Sequence, residues 1–252
     1  MGNLAGQCAI VTGAAYGIGF AAARRLAEEG AAVVIADIKG HEDAARKLTD
    51  AGLQATAITA DVTCDDSVDA LVTEVMRRHG RIDILINNAA ISAELKPAPF
   101  EQSHADDWHR IFDVNVVGVF RMCRAVSPHM RAARKGAIVN VASGTAFKGA
   151  AGMMHYIASK GAIITMTRSL ANEFSADNVR VNAVSPGFTI TESVEAHPEI
   201  RATYSAAAIP TRFLKRDAYA PDVANVMYFL ASDDAGFVTG QIIAADGGSV
   251  MH

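Results

Sequence analysis

Cysteine is scarce. Cys8, Cys64 and Cys123 are the whole complement of a 252-residue chain. This odd, widely spaced set makes neither a disulfide framework nor a CxxC redox or metal site, and it points to a reducing, cytoplasmic setting. An excess of positive charge is also missing. Lys and Arg number 23 against 27 Asp and Glu, a formal net charge of −4, so no polybasic footprint marks nucleic acid or an anionic membrane as a partner. No apolar run is long enough for a bilayer span. The stretch 1–15 lacks the charged start and cleavage site of a secretory leader, and Gly6 stands where a myristoylation pattern needs Ser or Thr. The eight histidines show no HExxH and no paired Cys/His spacing, so no metal site is expected. Ser143 belongs to no GxSxG elbow, which argues against a hydrolase nucleophile. Linkers, repeats and abrupt shifts of composition are missing too, so residues 1–252 read as one domain.

What is present is apolar chain in a regular alternation. Half the residues are hydrophobic and a fifth charged, ample for a sizeable core. Short β-branched runs at 8–12, 32–37, 54–60, 82–87, 136–141, 180–184 and 241–244 predict strands. Between them, amphipathic stretches at 19–29, 42–51, 67–79, 104–132, 154–174 and 221–231 predict helices. Strands apolar on both faces and separated by helices mean a parallel sheet covered on each side. The expected fold is α/β: a single doubly wound sheet of about seven strands, with right-handed crossovers. Residues 188–220 break the alternation. An insertion of that length inside a compact domain is usually a lid or binding loop, so it is read as a substrate loop.

The first strand runs into Thr12-Gly13-Ala14-Ala15-Tyr16-Gly17-Ile18-Gly19, followed by a helix. Such a turn lets backbone approach a pyrophosphate whose charge meets the helix N-terminus. Asp37 ends the second strand, where a carboxylate can accept hydrogen bonds from adenosine ribose hydroxyls and would repel a 2′-phosphate. NAD is therefore favoured over NADP. Further along, Tyr156 and Lys160 lie four apart, on one face of a predicted helix. An ammonium and a positively charged nicotinamide near a phenol both favour phenolate, which would bring a tyrosine into working range as an acid/base.

These features keep company with Asn87-Asn88-Ala89-Ala90 at the end of the fourth strand, Asn115 in Val-Asn-Val-Val-Gly, and Ser143 thirteen residues before Tyr156. Together with the TGxxxGIG turn, the set resembles the short-chain dehydrogenase/reductase family, from Leu4 through Asp246-Gly247-Gly248. The C-terminal stretch 229–252, with Leu-Ala-Ser-Asp-Asp-Ala and Asp-Gly-Gly-Ser-Val-Met-His, looks like the family's NAD-dependent secondary (aryl) alcohol dehydrogenases. The resemblance implies a Rossmann fold and roles at matching positions. Tyr156 would exchange a proton with the substrate oxygen. Ser143 would hydrogen-bond that oxygen, Lys160 would bind the nicotinamide ribose and depress the tyrosine pKa, and Asn115 would hold a relay water. Gly13, Tyr16, Gly17, Ile18 and Gly19 would line the cofactor with Asp37. Asp61 and Val62 would meet the adenine, and Asn88, Ala89 and Ala90 the adenosine ribose. Pro186, Gly187, Thr189 and Thr191 would flank the carboxamide and pyrophosphate. The chain departs from the family pattern at Ala90, where glycine is common, and at Thr189, where Ile or Val is.

The activity so implied is interconversion of a secondary alcohol and a ketone. Thr145, Phe147, Met153, Met154 and Phe188 are expected around the nicotinamide. With no arginine placed to clamp a carboxylate or phosphate, an uncharged, partly hydrophobic substrate fits. A 3-oxoacyl-thioester reductase is the alternative enzyme, and an NAD-binding sensor or scaffold without turnover the alternative of another class. Surplus apolar positions on 104–132 (Phe112, Val116, Phe120, Met122) and 154–174 (Ile163, Met166, Leu170, Phe174), with the nearly uncharged 237–251, predict two isologous contacts and a homotetramer.

Overall fold

Strand side chains point alternately to opposite faces. In β1 (Cys8–Thr12) that sends Cys8 and Ile10 to one side and Ala9 and Val11 to the other, all of them buried. A strand with no solvent face belongs in the middle of a covered parallel sheet, and β1 lies there. The computed structural model describes residues 3–92 and 97–251. After β1 come α1 (Gly17–Glu28), β2 (Ala32–Asp37), α2 (His41–Asp50), β3 (Ala55–Thr59), α3 (Asp65–His79) and β4 (Ile84–Asn87). The second half adds α4 (Ala105–Phe112), α5 (Gly118–Ala133), β5 (Gly136–Val141), α6 (Thr145–Lys148), α7 (Met154–Glu173) and β6 (Val179–Pro186). The chain ends with β7 (Thr189–Ile190), α8 (Glu192–Glu195), α9 (Pro198–Ala208), β8 (Ala218–Tyr219), α10 (Ala220–Ala231) and β9 (Ile242–Ala245).

Seven strands form one parallel sheet in the order β3-β2-β1-β4-β5-β6-β9. One core lies beneath α3, α5 and α7, with Leu71, Met122 and Ile163 at its centre. The other lies beneath α1, α2 and α10, with Leu26, Leu48 and Met227. The strand order reverses between β1 and β4, which opens a crevice at the carboxyl ends of the strands.

Three expectations need correction. The predicted helix 104–132 is interrupted: α4 and α5 are joined by a π turn, Asp113–Val117. One extra residue per turn rotates the following face, and the rotation carries Asn115 inward, where it is 1 % exposed. Residues 188–220 are more regular than their weak periodicity suggested, since they hold α8, α9 and the β7–β8 pair. Finally, Met122, Ile163 and Phe174 are buried within their own chain, so they are core positions. Phe120 and Val117 remain exposed on that face. Among the described residues no helix is long and apolar enough to cross a membrane.

Candidate active site

The turn after β1 is shaped by close approach. Gly13 has φ +60°, and a Cβ there would fall 2.7 Å from the Ala89 Cα; at Gly19 it would meet Gly13 O and Asn88 Nδ2 at 2.4 Å. Only glycine lets the two strand ends come this near. Thr12 and Asn88 stitch them together. The backbone N–H groups of Asn88 and Ala89 both donate to Thr12 Oγ1 at 3.1 Å. The Asn88 amide donates to Thr12 O at 3.0 Å and to Gly13 O at 2.8 Å. Asn88 therefore braces the turn, a part its motif alone did not disclose. Ile18 and Gly19 follow in the first turn of α1, and Tyr16, its N-cap, is exposed and makes no side-chain cap. The Gly17 N–H donates instead to Glu192 Oε2, 3.1 Å away on α8. A carboxylate on this N–H shows that the turn accepts an anionic oxygen, as a pyrophosphate site must.

Asp37 closes β2 beside the same turn, accepting the N–H of Ala15 at 3.1 Å and of Ile38 at 2.8 Å. A carboxylate has about four acceptor positions, so it retains capacity for ribose hydroxyls. Asp61 is engaged locally, accepting from the backbone N–H and hydroxyl of Thr63 at 2.8 and 2.7 Å. Val62 is buried against Gly118, whose added Cβ would meet Val62 Cγ2 at 2.8 Å. Ala90 follows Ala89 beyond β4. Pro186 ends β6, and Gly187 just beyond it donates its N–H to Ala245 O at 3.4 Å. Thr189 is buried and donates to Gly187 O at 3.0 Å, and Thr191 stands at the N-cap position of α8 without a side-chain cap. The predicted cofactor residues at the ends of β1, β2, β3, β4 and β6 thus lie along the carboxyl edge of the sheet.

Ser143 leaves β5 on the same edge and is 7 % exposed. Its Oγ lies 2.9 Å from the Thr145 Oγ1 and also accepts the Thr145 N–H at 3.3 Å. Tyr156 comes in from the first turns of α7. Burial pushes its phenol above the ordinary value, and a hydrogen bond with Ser143 draws it partly back. That direction opposes the depression expected from Lys160, because desolvation disfavours phenolate more than the surroundings favour it. The Lys160 Nζ donates to Val141 O at 2.8 Å and sits 5.8 Å from the Tyr156 ring centroid. Burial lowers its pKa from 10.5 to about 8.

Asn115 is more committed than its expected role implied. Its Nδ2 donates to Ile91 O at 3.2 Å and Ser159 Oγ at 3.1 Å, and its Oδ1 accepts the Ile91 N–H at 2.8 Å. The Ser159 hydroxyl in turn donates to Tyr156 O at 2.7 Å, so Asn115 steadies the helical turn that carries the phenol. A second buried chain went unread in the sequence. Asn87 donates to Asn140 Oδ1 at 2.9 Å, and Asn140 to Thr167 Oγ1 at 3.0 Å, joining β4, β5 and α7. His155 packs edge-on against Trp108 and accepts the Tyr156 N–H through Nδ1 at 2.8 Å. Phe188 stacks on Tyr204 of α9 with ring centroids 5.2 Å apart.

A doubly wound sheet with this edge has close counterparts among known proteins. The family model described as enoyl-(acyl carrier protein) reductase matches residues 13–250. The chain belongs to the short-chain dehydrogenase/reductase family. It is 44 % identical over 244 residues to a cis-4-hydroxycyclohexanecarboxylate dehydrogenase of Sinomonas cyclohexanicum, covering 96 % of each chain. It is 39 % identical over 252 residues to a 3-oxoacyl-(acyl-carrier-protein) reductase of Thermotoga maritima, covering 99 % of this chain and 100 % of that one. The crystal structure of levodione reductase superimposes with a TM-score of 0.91 at 32 % identity, covering 99 % of this chain and 100 % of that one. The protein is an oxidoreductase of this family, and the family works with a nicotinamide cofactor.

Proposed function

We propose that the protein is an NAD-dependent dehydrogenase interconverting an alicyclic or aryl secondary alcohol and its ketone, with Tyr156 as acid/base. The observation that carries this reading is the group of buried Ser143 and Lys160 with half-buried Tyr156, beside a turn able to take a pyrophosphate. When bound, the nicotinamide supplies or accepts the hydride. In reduction, Tyr156, held protonated by burial, gives its proton to the carbonyl oxygen. Ser143, oriented by Thr145, donates a hydrogen bond to the same oxygen as charge develops there. Lys160 would hold the ribose hydroxyls of the bound nucleotide, and its ammonium sets positive charge near the phenol as the proton leaves. Asn115 keeps Tyr156 in place through Ser159 and would hold the water that returns the proton. In oxidation the phenol must first be deprotonated, so alcohol oxidation is expected to rise with pH while ketone reduction does not.

Asp37 supports NAD over NADP through its carboxylate beside the ribose position. Phe147, Met153, Met154 and Phe188 supply an apolar substrate wall, in keeping with two similar proteins named for a hydroxycyclohexanecarboxylate and for levodione. Initial rates with NADH and NADPH across cyclic and aryl ketones test the assignment. NADH should win clearly, and Asp37→Ala should narrow the gap; equal efficiency with both cofactors in the unmutated protein would overturn it. A second reading, 3-oxoacyl-thioester reduction, draws on the Thermotoga maritima relative. Faster turnover of 3-oxoacyl thioesters than of any cyclic ketone would favour it. We also read the assembly as a homotetramer, through the face bearing Val117 and Phe120 and the edge bearing the exposed Phe237 and Met251.

A further inference from the structure

We infer that Glu192 competes with the cofactor pyrophosphate for the N-terminus of α1, and so sets how tightly the protein holds its nucleotide. This rests on the cofactor site proposed above. The first N–H groups of a helix have no partner within it, and α1 supplies none of its own. Its N-cap, Tyr16, makes no side-chain hydrogen bond, and its first turn contains no acidic residue. The partner comes from 175 residues away, where Glu192 Oε2 accepts the Gly17 N–H at 3.1 Å. The neighbouring Thr191 faces the same turn: a Cβ built on Gly17 would lie 3.5 Å from Thr191 Cγ2.

Gly17 lies in the turn whose backbone has to meet the pyrophosphate. One N–H cannot serve a carboxylate and a phosphate oxygen together, and the two anions repel at this range. Nucleotide binding therefore includes the displacement of Glu192, whose attraction to the positive end of α1 is lost in the exchange. The displaced residue opens α8, immediately before α9, whose Tyr204 stacks on Phe188. Glu192 thus ties cofactor affinity to the segment that walls the substrate side.

The test is a fluorescence titration of NADH into the wild type, Glu192→Gln and Glu192→Asp, paired with thermal unfolding with and without NADH. Glu192→Gln keeps the size and loses the charge, so it should bind NADH about 3- to 10-fold more tightly. It should also melt slightly lower without nucleotide and gain more on NADH addition. Glu192→Asp keeps the charge and should show no such tightening. Unchanged or weaker NADH binding by Glu192→Gln, with the wild type binding normally, would overturn the competition and leave the cofactor site standing. A wild type that binds neither NADH nor NADPH would overturn both.

Discussion

Lys160 pays the desolvation cost of an ammonium buried to 3 % exposure, and its pKa shows it. Because the folded value, about 8, lies below the ordinary 10.5, the unfolded chain binds more protons between those limits. Stability from this group therefore rises with pH across that window. A shift of this size corresponds to a cost of up to about 3 kcal/mol at neutral pH. Lys160→Met should accordingly be inactive yet more resistant to urea at pH 7, with its advantage closing as pH climbs from about 8 toward 10.5. An advantage independent of pH would refute the buried ammonium. Residues of this kind were legible in the sequence because their spacing is short and helical: Tyr156 and Lys160 share a face whatever surrounds them. Glu192 was not legible, since its partner Gly17 lies across the whole fold. The direction of the Tyr156 shift was hidden for a similar reason, because burial is a property of the packed molecule.

Among the elements, β1, β2 and β5 match their predicted bounds, because a strand apolar on both faces has a clear start and stop. Helix 104–132 did not, since a π turn leaves no mark on apolar periodicity until one asks where Asn115 must point. The short helices of 188–220 were missed because α8 has four residues and α9 has a modest apolar face. The Asn87–Asn140–Thr167 chain shows what holds the site-bearing elements in register. Asn140 is fully buried and bonded on both sides. Asn140→Ala strips one bond from each partner, leaving Asn87 Nδ2 with Cys123 Sγ at 3.4 Å and Thr167 Oγ1 with Ile163 O at 2.7 Å, and should cost about 1 kcal/mol or more. Urea unfolding measures that loss, and a cost below about half a kcal/mol would mean these hydrogen bonds do not hold β4, β5 and α7 in register.

For the whole molecule, the parallel sheet determines where chemistry can occur: Asp37 ends its strand, and Gly13, Asn88, Ser143 and Gly187 follow the carboxyl ends of theirs. The same architecture leaves apolar surface outside both cores. Phe120 is 50 % exposed, and Phe237 is fully exposed. Light scattering should give four times the 26.5 kDa subunit mass, and Phe120→Glu should reduce it; a 26.5 kDa species in the unmutated protein would contradict the assembly. The chemistry has a more direct test. NADH-loaded protein is mixed with a cyclic ketone, and nicotinamide absorbance is followed through a single turnover in the wild type and in Tyr156→Phe, with NADH affinity measured alongside. Loss of the transferable proton should slow the decay by at least about 10²-fold, with NADH affinity preserved; a Tyr156→Phe protein that oxidises NADH at the wild-type rate would contradict the mechanism.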